Sequence, residues 1–323
     1  MNELTSSALD KRSSLRVRKG PLFYLKRDWL LYLLLLPGVA YFILFKYLPI
    51  FGIIISFQNY KPFFGVSGIF TSEWFGLYWF RRFMSSYYFW RLMRNTFLLS
   101  FYSLLWSFPS AILLALLINE LQNKHFKKLV QTISYLPHFI TTVVMCSIIL
   151  QMFDARTGLF NAIMQLFGVP ARNYMGIESA FKHIYVWTNV WQGVGYSSII
   201  YIASLRGVSS ELHEAALIDG ATLVQRIRHV DIPSLLPTVC VLLIMSCGSL
   251  LSVGYEKVYL LQNSMNLNAS EVINTYVYKQ GLTSTLPQYS SATAIGLFVA
   301  IVNLILLATV NGVTGRLSGS SLW

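Results

Sequence analysis

Six long apolar stretches constrain this chain more than any other feature: residues 29–57, 95–118, 130–153, 184–205, 235–255 and 290–310. About 20 apolar residues in a helix cross a hydrocarbon core of roughly 30 Å. A helix also satisfies its own backbone hydrogen bonds where water is absent. Five of the stretches hold no Asp, Glu, Lys or Arg across their middles. The first is interrupted by Lys46 and ends in Pro49-Ile50-Phe51-Gly52, so a tilt or kink is expected. The fourth is the most polar, with Trp187, Asn189, Trp191 and Gln192 close together. Only 12% of the 323 residues are charged, about half the share of a soluble domain. A soluble surface cannot be built from so few charges. The expected fold is an all-α integral membrane protein with six transmembrane helices.

A net charge of +12 would fit a nucleic-acid partner, but the positions of the charges argue against one. With the N-terminus inside, the inner segments carry 14 of the 25 Lys and Arg, seven of them in 1–28. That follows the positive-inside rule. Residues 1–28 read as a basic cytoplasmic tail against the anionic leaflet rather than a cleavable signal, because the run that follows is too long. The first outer loop is a mild exception, with Lys61, Arg81, Arg82, Arg91 and Arg94; it reads as an amphipathic stretch at the outer interface. Cys146, Cys240 and Cys247 all fall within apolar runs and read as small buried residues. Five histidines show no metal-ligand spacing, and His213 reads as a helix-surface residue.

The inner segment 206–234 is too long for a plain turn. Ser209 or Ser210 can cap a helix, Glu211 suits its first turn, and Gly220 supplies a left-handed stop. Leu212, Ala215 and Ala216 form an apolar stripe. A second short helix is expected from Thr222 to just before Pro233. The pair is either a docking element for another protein, with Glu214 and Asp219 meeting basic groups, or a loop packed on its own helix ends.

Glu214-Ala215-Ala216, then Gly220 after three residues, then Val230-Asp231-Ile232-Pro233 after nine more, resembles the EAA signature of binding-protein-dependent ABC importer permeases. Val230 and Ile232 stand where that pattern has Ile and Leu. Gly207-Val208-Ser209-Ser210-Glu211-Leu212 and Ile218-Asp219-Gly220-Ala221 match as well. Leu36-Pro37-Gly38, Arg94-Asn95-Thr96, the run from Val130 to Phe139, Asn274-Thr275-Tyr276-Val277-Tyr278 and the terminal Ser321-Leu322-Trp323 resemble the oligo- and polysaccharide subgroup. Within it the chain is similar to the first permease subunits of bacterial alginate importers.

The resemblance implies a division of labour. A cytoplasmic coupling helix between the fourth and fifth spans would seat in a cleft of a nucleotide-binding subunit. Glu214, Ala215, Ala216 and Gly220 would touch that subunit, supported by Asp219. The expected assembly in the bacterial inner membrane holds a second permease, two ABC ATPases and an extracytoplasmic solute-binding protein. The implied domains are a tail at 1–28, a transmembrane domain at 29–315 with its coupling loop at 206–234, and a short tail at 316–323. No phosphate-binding G-x-x-x-x-G-K-[ST] loop occurs, so ATP and magnesium belong on the partner ATPase. No cofactor, metal or enzymatic site is expected in this chain.

For a saccharide path, polar and aromatic side chains within the spans are the candidates: Trp187, Asn189, Trp191, Gln192, Tyr196 and Tyr255, with Asn303 a further one. They equally suit helix packing or interface anchoring. Lys46, Arg81, Arg82 and Lys257 at the outer mouth would attract an acidic sugar, or simply be solvated, with Glu256 pairing to Lys257. Two rivals stand beside this reading. An ion-coupled secondary carrier needs acids within its spans, and a membrane glycan enzyme needs clustered carboxylates or an activated nucleophile; the runs show neither.

Overall fold

The computed structural model describes residues 27–318 and Leu322, so most of the basic tail, and Ser321 and Trp323, lie outside the described residues. Two compact units divide at Ile54 and Ile55. Among the described residues every element is helical, apart from one isolated bridge between Gln58 and Trp74.

The first unit is dominated by α1, Trp29–Phe42, which contains Pro37 and has no buried residue. It continues through a wide turn, Ile43–Tyr47, into a tighter helix, Leu48–Phe57. Leu33, Leu34, Phe45 and Phe51 are all more than half exposed. Such a surface is stable only when lipid or another membrane subunit covers it.

In the second unit, α2 (Tyr78–Met84) precedes α3 (Phe89–Asn119), which runs through Pro109 without ending. Arg82 of α2 lies over the Trp79 ring at 5.5 Å, and Phe83 meets Phe298 edge-on at 5.8 Å. The third apolar run does not form one straight helix. α4 (Lys124–Tyr135) and α5 (Thr142–Met152) meet at 96°. Asn123 caps α4 by accepting from the His125 and Phe126 amides, and Thr141 caps α5 through the Val144 amide. Between them Pro137 and the extended Ile140 interrupt the ladder.

A short α6 (Leu159–Leu166) leads to α7, Glu178–Leu205. The 28 residues of α7 are long enough to span a bilayer, though too polar to rank with the apolar helices α3, α9 and α12. α4 crosses α7 so closely that a Cβ on Gly195 would sit 1.9 Å from the Ser134 carbonyl oxygen. On the inner half, Ala111 and Ala115 of α3 pack against Tyr201, Ile202 and Leu205 of α7. Small residues there let the two backbones approach, the usual basis of helix pairing in lipid.

α8 (Ser210–Ile218) follows α7, and then comes the largest departure from expectation. The helix capped by Thr222 does not stop before Pro233: it runs from Leu223 to Gly248 as one element, α9. A wide turn at Ile227–Asp231 precedes the proline and gives its ring the room that an ordinary turn denies. This helix therefore begins some twelve residues earlier than the apolar run 235–255, and it ends at Gly248 rather than at 255. Beyond it, α10 (Tyr255–Leu261), a turn at Leu267–Ser270 and α11 (Ile273–Tyr278) form a cap before α12, Tyr289–Ser318.

Candidate functional site

α8 is a short helix closed at both ends. Ser209 caps it by accepting from the Glu211 amide at 3.3 Å. Gly220, at φ +76°, closes it, with Ala221 N–H donating to the Ala216 carbonyl and Gly220 N–H to the Leu217 carbonyl. That is a Schellman ending, which glycine alone enters without strain. No residue of α8 is buried, and Leu212, Leu217 and Ile218 are 54%, 56% and 87% exposed. Glu214, Ala215 and Asp219 are exposed with them, while Ala216 is half-buried beside His213. The loop therefore does not fold back over its own helix ends. Its apolar side chains face away from the chain.

His213 was read as a plain surface residue, and the structure corrects that. Its Nε2 lies 3.5 Å from Oδ1 of Asp231, a side chain only 1% exposed. Neither Asp231 oxygen has a hydrogen-bond partner among the described residues, so this charge contact is the tie it makes. A second polar tie, Arg226 to Glu120 at 3.4 Å, fixes the foot of α9 to the end of α3. The only sequence signal for the first tie was an acid in the otherwise aliphatic Val230-Asp231-Ile232-Pro233.

At the opposite end, α10, α11 and the turn between them are cross-bonded to α3. Asn95 donates from its amide to the Asn268 carbonyl at 2.7 Å and to the Glu271 carbonyl. Thr96 Oγ1 accepts from the Ile273 amide. Glu271 pairs with Arg91, and with Lys279 at 3.7 Å. Asn266, wholly buried, donates to the carbonyls of Met175 and Leu261 and accepts from Ser270. The Arg94-Asn95-Thr96 and Asn274-Thr275 motifs thus meet in space as parts of one clamp.

The six path candidates do not converge. Trp187 and Trp191 share a face and line an apolar cavity with Met145, Ile149 and Phe160. Tyr255 stacks on Tyr278 beside a separate outer pocket. Gln192 donates to the Ile140 carbonyl at 3.0 Å, so it props the break in the third span. Tyr196 stacks on His138 at 3.9 Å and also borders a cavity of about 360 Å³ between α3, α7 and α9. Asn189 lines an adjoining crevice of about 250 Å³ whose wall carries Ser100, Ser103, Ser107, Ser246, Ser249 and Ser252. The two cavities share Leu104, Ser107 and Ser246, making one groove along these helices. Asn303 supports its rim, accepting from the Leu251 amide and donating to Ser252.

The serines were the signal that sequence reading missed: Ser100, Ser103 and Ser107 fall on one face of α3 at helical spacing. Lys257 also departs from expectation. It is 6% exposed, not solvated, and donates to Asn189 Oδ1 at 2.6 Å. No ion pair joins it to the exposed Glu256. Burial pushes its ammonium down to about 8, which leaves it cationic near neutrality. Among the described residues no cluster of His, Cys, Asp or Glu could hold a metal ion.

Residues 83–318 match the family described as binding-protein-dependent transport system inner membrane component. The polygalacturonan/rhamnogalacturonan transport system permease protein YteP of Bacillus subtilis is 41% identical over 294 residues, covering 91% of this chain and 90% of that protein. Protein LplB of the same organism is 38% identical, covering 93% and 92%. A crystal structure of a bacterial alginate ABC transporter, in complex with an alginate pentasaccharide-bound periplasmic protein, contains a chain 36% identical to this one. It superposes with a TM-score of 0.83 over 92% of this chain and 98% of its own.

Proposed function

The chain belongs to the binding-protein-dependent inner membrane transport components, and on that premise we propose that α8 is its coupling helix and the serine-lined groove its share of the cargo path. It is a permease subunit of an ATP-driven sugar importer that works with a solute-binding protein and a partner permease, and it is not an enzyme. ATP hydrolysis falls to separate subunits. An ion-coupled carrier has no support beside this.

The finer reading has several parts. Two ABC ATPases grip the paired permeases from the cytoplasm and hold the ATP and magnesium. The N-terminus and α8 share the cytoplasmic side. Six spans follow: α1 with its continuation, α3, the bent α4–α5 pair, α7, α9 and α12. The cargo is an oligo- or polysaccharide, alginate or a similar acidic glycan, as likeness to the alginate transporter and to the polygalacturonan permease supports. Glu214, Ala215, Ala216, Asp219 and Gly220 form the coupling contact.

The observation that carries this reading is a capped helix with no buried residue, turning Leu212, Leu217 and Ile218 outward at the foot of α9. Three large apolar side chains exposed around one nine-residue helix offer contacts to a partner that encloses it. The experiment uses the assembled importer with Cys146, Cys240 and Cys247 replaced and Ala216→Cys introduced. A photoactivatable cross-linker attached to that cysteine should trap the ATP-hydrolysing subunit. Labelling of that cysteine from outside the cell by an impermeant thiol reagent would overturn the assignment.

A further inference from the structure

Lysine is almost never fully buried without an acid to balance it. Lys257 is such a case: among the described residues no carboxylate lies within 4.0 Å of its Nζ. Its three donors meet one good acceptor, Asn189 Oδ1, and the Tyr185 ring face at 5.6 Å. The backbone around it is anchored, since Cys146 Sγ donates to the Lys257 carbonyl and Val258 is fully buried. The side chain is therefore held in place rather than snorkelling to water.

What it faces is informative. Asn189 and Tyr185 both line the serine crevice. With Oδ1 of Asn189 occupied by the ammonium, the amide must use its NH2 end as a donor. Ser100 and Ser103, on the same crevice, have buried hydroxyl oxygens with no partner among the described residues. A helical serine ordinarily returns its hydroxyl to a carbonyl one turn back, as Ser246 does to Leu242. Two that do not, beside a cation with no carboxylate within 4.0 Å, offer hydrogen-bonding groups suited to an anionic ligand.

We infer that Lys257, acting through Asn189, is the charge-selecting residue of this crevice, and that the crevice takes a sugar unit bearing a carboxylate. The cargo's carboxylate balances the buried ammonium, the oriented Asn189 amide donates to it, and Ser100 and Ser103 bond to the same unit. Lys257 is a positioning residue here, since Asn189 stands between it and the groove. This inference rests on the sugar-importer reading above and names the residue that makes the cargo acidic.

The test uses the complete importer in proteoliposomes with its binding protein. ATP-driven uptake of tetramannuronate is measured beside that of its carboxyl-reduced, neutral counterpart. Lys257→Met should lower the ratio of acidic to neutral uptake about tenfold or more, the scale of a lost charge-assisted hydrogen bond. Neutral uptake should persist, which reports that the variant still folds and couples. Asn189→Asp reaches the same end by another route: it neutralises Lys257 in place, and should lower the ratio similarly without removing the lysine. Wild-type ratios in both variants would overturn the inference while leaving the importer reading intact. An unmodified importer that moves neither tetrasaccharide would overturn the acidic-glycan reading itself, and this inference with it.

Discussion

The inner and outer ends of this subunit are stabilised in opposite ways. The outer cap is held from within. Asn95, Thr96, Asn266 and Thr275 are fully buried and spend their side chains on the backbone of the segment they clamp. The inner α8 is held at its root by one capping serine, one glycine and the His213–Asp231 contact, and its apolar side chains are left over. The cap is thus tied by its own buried polar side chains, whereas α8 buries none of its residues. Mutations should separate the two, with outer substitutions acting on the chain and inner ones on its assembly.

The largest effect on the isolated chain is expected from Asn266→Ala, which leaves the Met175 and Leu261 carbonyls and the Ser270 hydroxyl without their bonds. Several buried groups orphaned together should cost about 3 kcal/mol or more. Thermal unfolding in detergent should show a marked drop and the purified yield should fall; an unchanged melting curve would sink the clamp. Gly220→Val comes next, at about 2 kcal/mol, because a β-branched residue resists the left-handed conformation. A Cβ there meets nothing within 4 Å, so the penalty is purely conformational. Membrane insertion should stay normal while transport-coupled ATP hydrolysis and retention of the ATPase fall; normal coupled hydrolysis would count against the role of α8. His213→Ala should cost roughly 1 kcal/mol by stranding the Asp231 carboxylate, and it should loosen cargo-stimulated hydrolysis more than basal hydrolysis. Equal losses of both would leave that contact no part in coupling. Ile218→Ser should change the chain's own stability by less than about 0.5 kcal/mol, yet weaken co-purification of the ATPase. If co-purification is untouched, the exposed apolar face lies outside the interface.

Much of the inner end was legible because its signals are local. A capping serine, a glycine at the left-handed stop and a threonine at the next helix start specify their turns through neighbours in the chain. The signals that failed depend on distant partners. The run 130–153 carries no charge, so averaged hydropathy is blind to the 96° bend, and only Pro137 hinted at it. Pro233 read as a stop, but the wide turn before it lets the helix pass. Lys257 read as solvated because a charge beside a span usually is, and nothing nearby in the chain announces that Asn189 waits to receive it. The path candidates were chosen for their chemistry alone, and the helix faces then sent Asn189 and Tyr196 to the groove and the two tryptophans elsewhere.

The uninterrupted course of α9 has a mechanical consequence. Twenty-six residues of helix make a rod about 39 Å long, with its foot beside the coupling loop and Ser246 near its far tip. A rocking of about 5° at the foot displaces that tip by about 3 Å by simple leverage over this length, roughly the width of a water molecule. On the coupling role proposed for α8, a modest nudge at the foot would be geared into opening or pinching the serine-walled gap.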